Sequence, residues 1–129
     1  MIVMKFGGTS VESAEAIRRV ASIVRARLDR HPVVVVSAMG KTTNKLLAIA
    51  TAAVAGELHG ALTLASELRE SHLTEAAGLD LDTPIQEHFV ELEALVRGLA
   101  VMGELTPRAT DAISAVGERL SSLIVAAEF

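Results

Sequence analysis

At 129 residues the chain is one domain or part of one. Half of it is hydrophobic and 22% is charged, which excludes a disordered or low-complexity polypeptide. It has no cysteine, so a disulfide scaffold, a thiol nucleophile and Cys-based zinc or iron–sulfur sites are excluded. A net charge of -4 and only three aromatic residues, all Phe, argue against broad nucleic-acid binding and against base-stacking platforms.

Ile2 to Phe6 is a short apolar run stopped by Gly7-Gly8, the pattern of a buried strand entering a turn. From Ser13, an N-cap candidate, Ile17, Val20, Val24 and Leu28 recur at helical spacing. Pro32 ends that helix, and the all-valine run Val33 to Val36 predicts a strand covered on both faces, as in parallel sheets. Strand, helix, strand is a βαβ unit. The rest reads as helix: about Thr43 to Ala55, about Glu57 to Ala77, a third capped by Thr83-Pro84 and running to about Val101, and a last one starting at Thr106-Pro107. In the last helix Ile113, Val116, Leu120, Leu123 and Ile124 form one apolar stripe. The fold class expected is α/β. Two strands do not make an independent covered sheet, so the chain is expected to be the first part of a larger domain.

No charged leader followed by an apolar segment opens the chain, and no membrane contact is expected. The longest apolar stretch, Leu46 to Ala55, is well short of the roughly 20 residues that a membrane helix needs. A soluble, cytoplasmic chain is expected.

Three segments carry candidate chemistry. Lys5-Phe6-Gly7-Gly8-Thr9-Ser10 leaves a strand and enters a helix; glycines there permit close approach to a phosphate, with Lys5 as a point charge and helix N-terminal amides as donors. A plain strand-to-helix turn with a solvated lysine gives the same pattern. Ser37 to Asn44 follows the second strand, but its Gly40-Lys41-Thr42 is not a P-loop, because Val35 stands where that motif needs glycine. It remains a small polar loop at the carboxyl end of a strand, the edge where open α/β sheets bind ligands. All three lysines of the chain, Lys5, Lys41 and Lys45, fall in or beside these two loops, which favours an anion there.

The third segment, Gly117 to Ser122, puts Glu118 on a polar face with Asp111, Ser114 and Ser122, a solvated face by charge pattern alone. Gly117 inside a helix hints at a close backbone approach. The four histidines, His31, His59, His72 and His88, show no metal-ligand spacing and are expected at the surface or at helix caps; no metal ligand is assigned. The methionines read as packing residues or initiator.

Taken in order, Lys5-Phe6-Gly7-Gly8-Thr9-Ser10, the run Val33 to Asn44, and Gly117-Glu118-Arg119-Leu120-Ser121-Ser122 resemble the opening of the aspartate kinases, within the amino acid kinase family. The resemblance covers the whole chain. It implies the N-terminal part of a three-layer αβα sandwich, mostly helical after its first two parallel strands. Residues 1–129 would be the substrate side, with the nucleotide-side half and the regulatory domains absent.

The implied reaction is phosphoryl transfer from ATP, with Mg2+, to the β-carboxylate of L-aspartate, the first step toward lysine, threonine and methionine. A carboxylate with a pKa of about 4 is already ionised at neutral pH, so no general base is needed. The resemblance gives Lys5 as catalytic, Lys5, Gly7, Gly8 and Ser37 as phosphate- and ATP-binding, and Ser10, Thr43 and Glu118 as aspartate-binding. It also implies that the 129 residues alone lack turnover. Their unpaired sheet edge and apolar helices predict self-association into a homo-oligomer. Two other readings stay open: another member of the superfamily, or a short non-catalytic module that self-associates or completes a partner's sheet.

Overall fold

In a computed structural model, which describes residues 1–129, two parallel strands are joined by one helix and followed by four more. Strand β1 is Ile2–Phe6 and β2 is Pro32–Val36. They pair in register from Ile2 opposite Pro32 to Phe6 opposite Val36, with helix α1, Ala14–Arg25, as the crossover. The expected βαβ unit is therefore present. Pro32 opens β2, where a missing N–H does least harm to the ladder.

Ser13 caps α1 by accepting the Ala16 N–H at 3.2 Å, and Thr106 caps α5, Pro107–Glu128, by accepting the Ala109 N–H at 3.1 Å. Both caps were legible from the sequence. Helix α2, Thr42–Val54, breaks from α3, Leu58–Glu75, at Gly56, whose φ of 84° suits glycine. Helix α4, Asp82–Met102, starts two residues earlier than expected: Leu81 occupies the cap position, and Thr83 and Pro84 lie in the first turn. Pro84 fits there because first-turn N–H groups have no partner inside the helix.

The core lies among the helices. α2 packs on α3, α4 and α5, while α1 packs on α5. Leu46 and Ile49, Leu68, Phe89 and Leu92, and Ile113, Val116 and Leu120 all join one buried cluster. Met4, Phe6, Val34 and Val36 turn the inner face of the sheet onto it.

The other face corrects the expectation for β2. Val33 and Val35 are 46% and 44% exposed, and Val3 and Lys5 beside them are exposed too. Four valines in a row permit two covered faces but do not supply a cover, and within these residues the helices lie on one side only. The α/β class and the helical excess after two strands stand as read.

His72 is a second correction. It was expected at the surface, yet it is 2% exposed. It continues the buried stripe Ala61, Ala65, Leu68 at helical spacing on α3, a periodicity the sequence shows plainly.

Candidate phosphate and substrate site

The two loops at the carboxyl edge of the sheet are laced together. The Ser37 N–H donates to Phe6 O at 3.0 Å, and the Gly40 N–H donates to Gly8 O at 3.0 Å. Gly8 lies so close to the second loop that an added Cβ would sit 3.0 Å from Gly40 O and 3.1 Å from Ala38 O. Gly40 has a φ of 44° and rests against Glu12. Any side chain at Gly8 would have to push two carbonyls apart, so glycine here is required by contact and not by turn type.

The third segment joins the same junction. A Cβ on Gly117 would meet Ala38 Cβ and Leu46 Cδ1 at 3.0 Å and Thr42 Cγ2 at 3.1 Å. Helix α5 thus seats its glycine against the second loop and the first turn of α2. Thr42 is buried by that contact, whereas Thr43, one residue on, is exposed. Glu118 follows Gly117 and is exposed, with no hydrogen bond or ion pair, although its neighbour Arg119 is bound to Glu91 of α4 at 2.8 Å. The ion pairs of the chain involve Arg and His only, which leaves Lys5, Lys41 and Lys45 unpaired around the loops.

A groove of about 690 Å³ runs between β2 and α5, lined by Val34 to Val36, His88, Ala115, Glu118, Arg119, Ser122 and Leu123. Ser10 lies elsewhere, in a depression of about 330 Å³ with Phe6, Thr9, Glu12 and Arg19 beside α1. The structure therefore brings Gly8, Ala38, Gly40, Thr42 and Gly117 into one junction, with Ser37, Thr43 and Glu118 next to these residues in the chain, whereas Ser10 lines a separate depression. Lys5 projects from the open sheet face, opposite Val35 of the groove. His88 and Arg119 were missed as groove residues; the i, i+3 spacing of His88 and Glu91, 4.0 Å apart, was the available signal.

The donors at the first loop differ from those expected. α1 begins at Ala14, after a single 3₁₀ turn at Gly8–Val11, so its N-terminus does not face the glycines directly. It is also already occupied: Ser13 takes one amide, and Glu75 of α3 accepts the Ala14 N–H at 2.6 Å. An anion at this loop must be met by the segment Gly7 to Ser10 itself and by the lysines. No three His, Asp or Glu side chains gather to hold a metal ion. No helix is long and apolar enough to cross a membrane.

A glycine-rich loop and a small polar loop laced at the carboxyl edge of parallel strands define the class: an α/β protein whose ligand edge is built from backbone contact at glycine. The chain belongs to the amino acid kinase family, which matches residues 1–129. It is 44% identical to aspartokinase 3 and 41% identical to aspartokinase 2, both chloroplastic proteins of Arabidopsis thaliana, in each case over 97% of this chain. It spans about a quarter of their length, 23% and 24% respectively. Among solved structures, aspartokinase III of E. coli in complex with aspartate and ADP superimposes with a TM-score of 0.81 at 28% identity. That likeness covers 97% of this chain and 28% of the E. coli chain.

Proposed function

We propose that residues 1–129 form the aspartate- and phosphate-facing part of an aspartate kinase. The observation that carries this reading is the junction at Gly8 and Gly117, where three sequence segments meet and leave Glu118, Thr43 and three lysines without protein partners. The E. coli relative that binds aspartate and ADP supports the choice of ligands.

In this reading Glu118 accepts from the α-ammonium of aspartate, Thr43 contacts the same ligand, and Ser10 approaches it from the first loop. Gly7, Gly8 and Ser37 border the transferring phosphate, and Lys5 is the catalytic residue, a point charge on its oxygens. A β-carboxylate oxygen attacks the γ-phosphorus of MgATP; that P–O bond forms as the bond to the ADP oxygen breaks. The products are an acyl phosphate and ADP, and no proton moves. The chain's contribution is positioning and neutralisation of phosphoryl charge, which dominate such transfers. Mg2+ enters with the nucleotide, held by its phosphates.

The product is a mixed anhydride bound for lysine, threonine and methionine synthesis. The half-exposed valines of the open sheet face support a homo-oligomer. The nucleotide-side half and the regulatory domains lie, in this reading, in sequence beyond these residues, and turnover belongs to the complete enzyme.

Calorimetric titration of the chain with L-aspartate tests the substrate assignment. Binding in the millimolar range or tighter is expected, weakened at least about tenfold by Glu118→Ala, since loss of a charged hydrogen bond is worth about 1.5–3 kcal/mol. Equal affinity in wild type and Glu118→Ala would remove Glu118 from the site.

A further inference from the structure

Glu75 is the last residue of α3, and its carboxylate accepts the Ala14 N–H at 2.6 Å across a separation of 61 residues. Ala14 is the first residue of α1, and the segment Gly7 to Ser13 is all that lies between it and β1. α1 packs on α5, with Val11, Ala16 and Ile17 buried at its start, but it shares no extensive interface with α3, so this bond is what joins the end of α3 to the first amide of α1. The end of α3 is well anchored: Leu68, His72 and Ala76 are buried on one stripe, which fixes the backbone that carries Glu75. The bond is charge-assisted and half-buried, and it lies at the positive end of α1, where a carboxylate is favoured.

The first loop is thus held at both ends. Its start continues from β1, which is paired with β2, and its end is pinned by Glu75. Between these points Val11 is buried in the core, and contact with the second loop runs through Gly8 and Gly40, a backbone approach with no room for a side chain at Gly8. The carboxylate also fills the end of α1, so that end does not compete with the loop for an incoming anion.

We propose that Glu75 is a positioning residue: it braces α1 and thereby holds Gly7 to Ser10 in the geometry that receives the phosphate. The proposal rests on the phosphate reading of that loop given above. Its own content is mechanical, because Glu75 acts through the Ala14 amide and does not touch the ligand.

The test is residue-resolved amide hydrogen exchange and NMR titration of the chain with pyrophosphate, in wild type, Glu75→Ala and Glu75→Gln. In Glu75→Ala, exchange at Ser10 and Ala14, whose amides are hydrogen-bonded in the wild type, should accelerate at least about tenfold, with the amides of α2 and α4 unchanged, and pyrophosphate should bind at least about fivefold more weakly. Glu75→Gln keeps an acceptor oxygen and should recover most of both effects, which a role in charge alone would not permit. Unchanged loop exchange in Glu75→Ala overturns the brace, as does acceleration spread evenly over every helix. A wild-type loop whose amides ignore pyrophosphate sinks the phosphate reading instead, and the exchange data then decide the brace by themselves.

Discussion

Lowering the pH from 8 to 5 should weaken the fold, with the loss setting in below about 6.5, and His72→Leu should flatten that part of the profile. His72 is 2% exposed, and its Nδ1–H donates to Leu68 O at 2.9 Å. That bond fixes the neutral tautomer with a lone pair on Nε2, and Nε2 is buried without any partner. The edge of the ring leans on Phe89 of α4, with centroids 5.8 Å apart. Burial holds the imidazole below the usual histidine range, and Lys45 of α2 adds to the depression; the Leu68 carbonyl and Glu75 oppose it.

Because the folded value is the lower one, both states are neutral above 6.5 and this group adds no pH dependence there. Below it the unfolded chain takes up a proton that the folded chain refuses, at about 1.4 kcal/mol per pH unit until the folded value is reached. Urea unfolding at pH 5, 6, 7 and 8 measures this directly. Superimposable profiles for wild type and His72→Leu would show that His72 does not gate stability. Above pH 7 the leucine variant should equal or exceed wild type, since it removes an orphaned polar atom whose burial costs about 1–3 kcal/mol.

Gly117→Val should cost about 1–3 kcal/mol and should move the second loop, whereas Gly98→Ala should gain about 0.5–1 kcal/mol. Both glycines lie inside long helices, where a side chain ordinarily helps. Gly98 has nothing within 4 Å of an added Cβ, so its variant collects the full helical benefit. At Gly117 the same atom meets three side chains at 3.0–3.1 Å, and one of them, Ala38 Cβ, stands on the backbone of the second loop. Leu46 can turn its end aside, but Ala38 moves only with its loop. Chemical denaturation gives the two signs, and amide shifts from Ala38 to Thr43 report the displacement. A Gly117→Val protein as stable as wild type, with those shifts in place, would refute the close seat of α5.

Much of the architecture was readable because it is local. Ser13 and Thr106 sit where a side-chain oxygen meets the third amide, the glycine after Ala55 breaks the helix, and Gly117 announced a close approach that the structure supplies. Four valines could not reveal which face of β2 is covered, because that depends on where helices far along the chain come to rest. His72 was legible from its stripe and was misread through its residue type. The Glu75 bond to Ala14 joins residues 61 apart, and no periodicity records it. For the same reason the sequence does not show that Ser10 and Glu118 line two separate depressions.

The pairing of β1 with β2 carries one more implication. Met4 and Phe6 face the core while Lys5 faces outward, so sliding β1 by one residue would invert all of them together. Such a slip would drive an ammonium group into the hydrocarbon interior and strand two large apolar side chains in water. Lys5 is therefore a proofreader of strand alignment: a chain that pairs wrongly is rejected during folding by the cost of burying its charge.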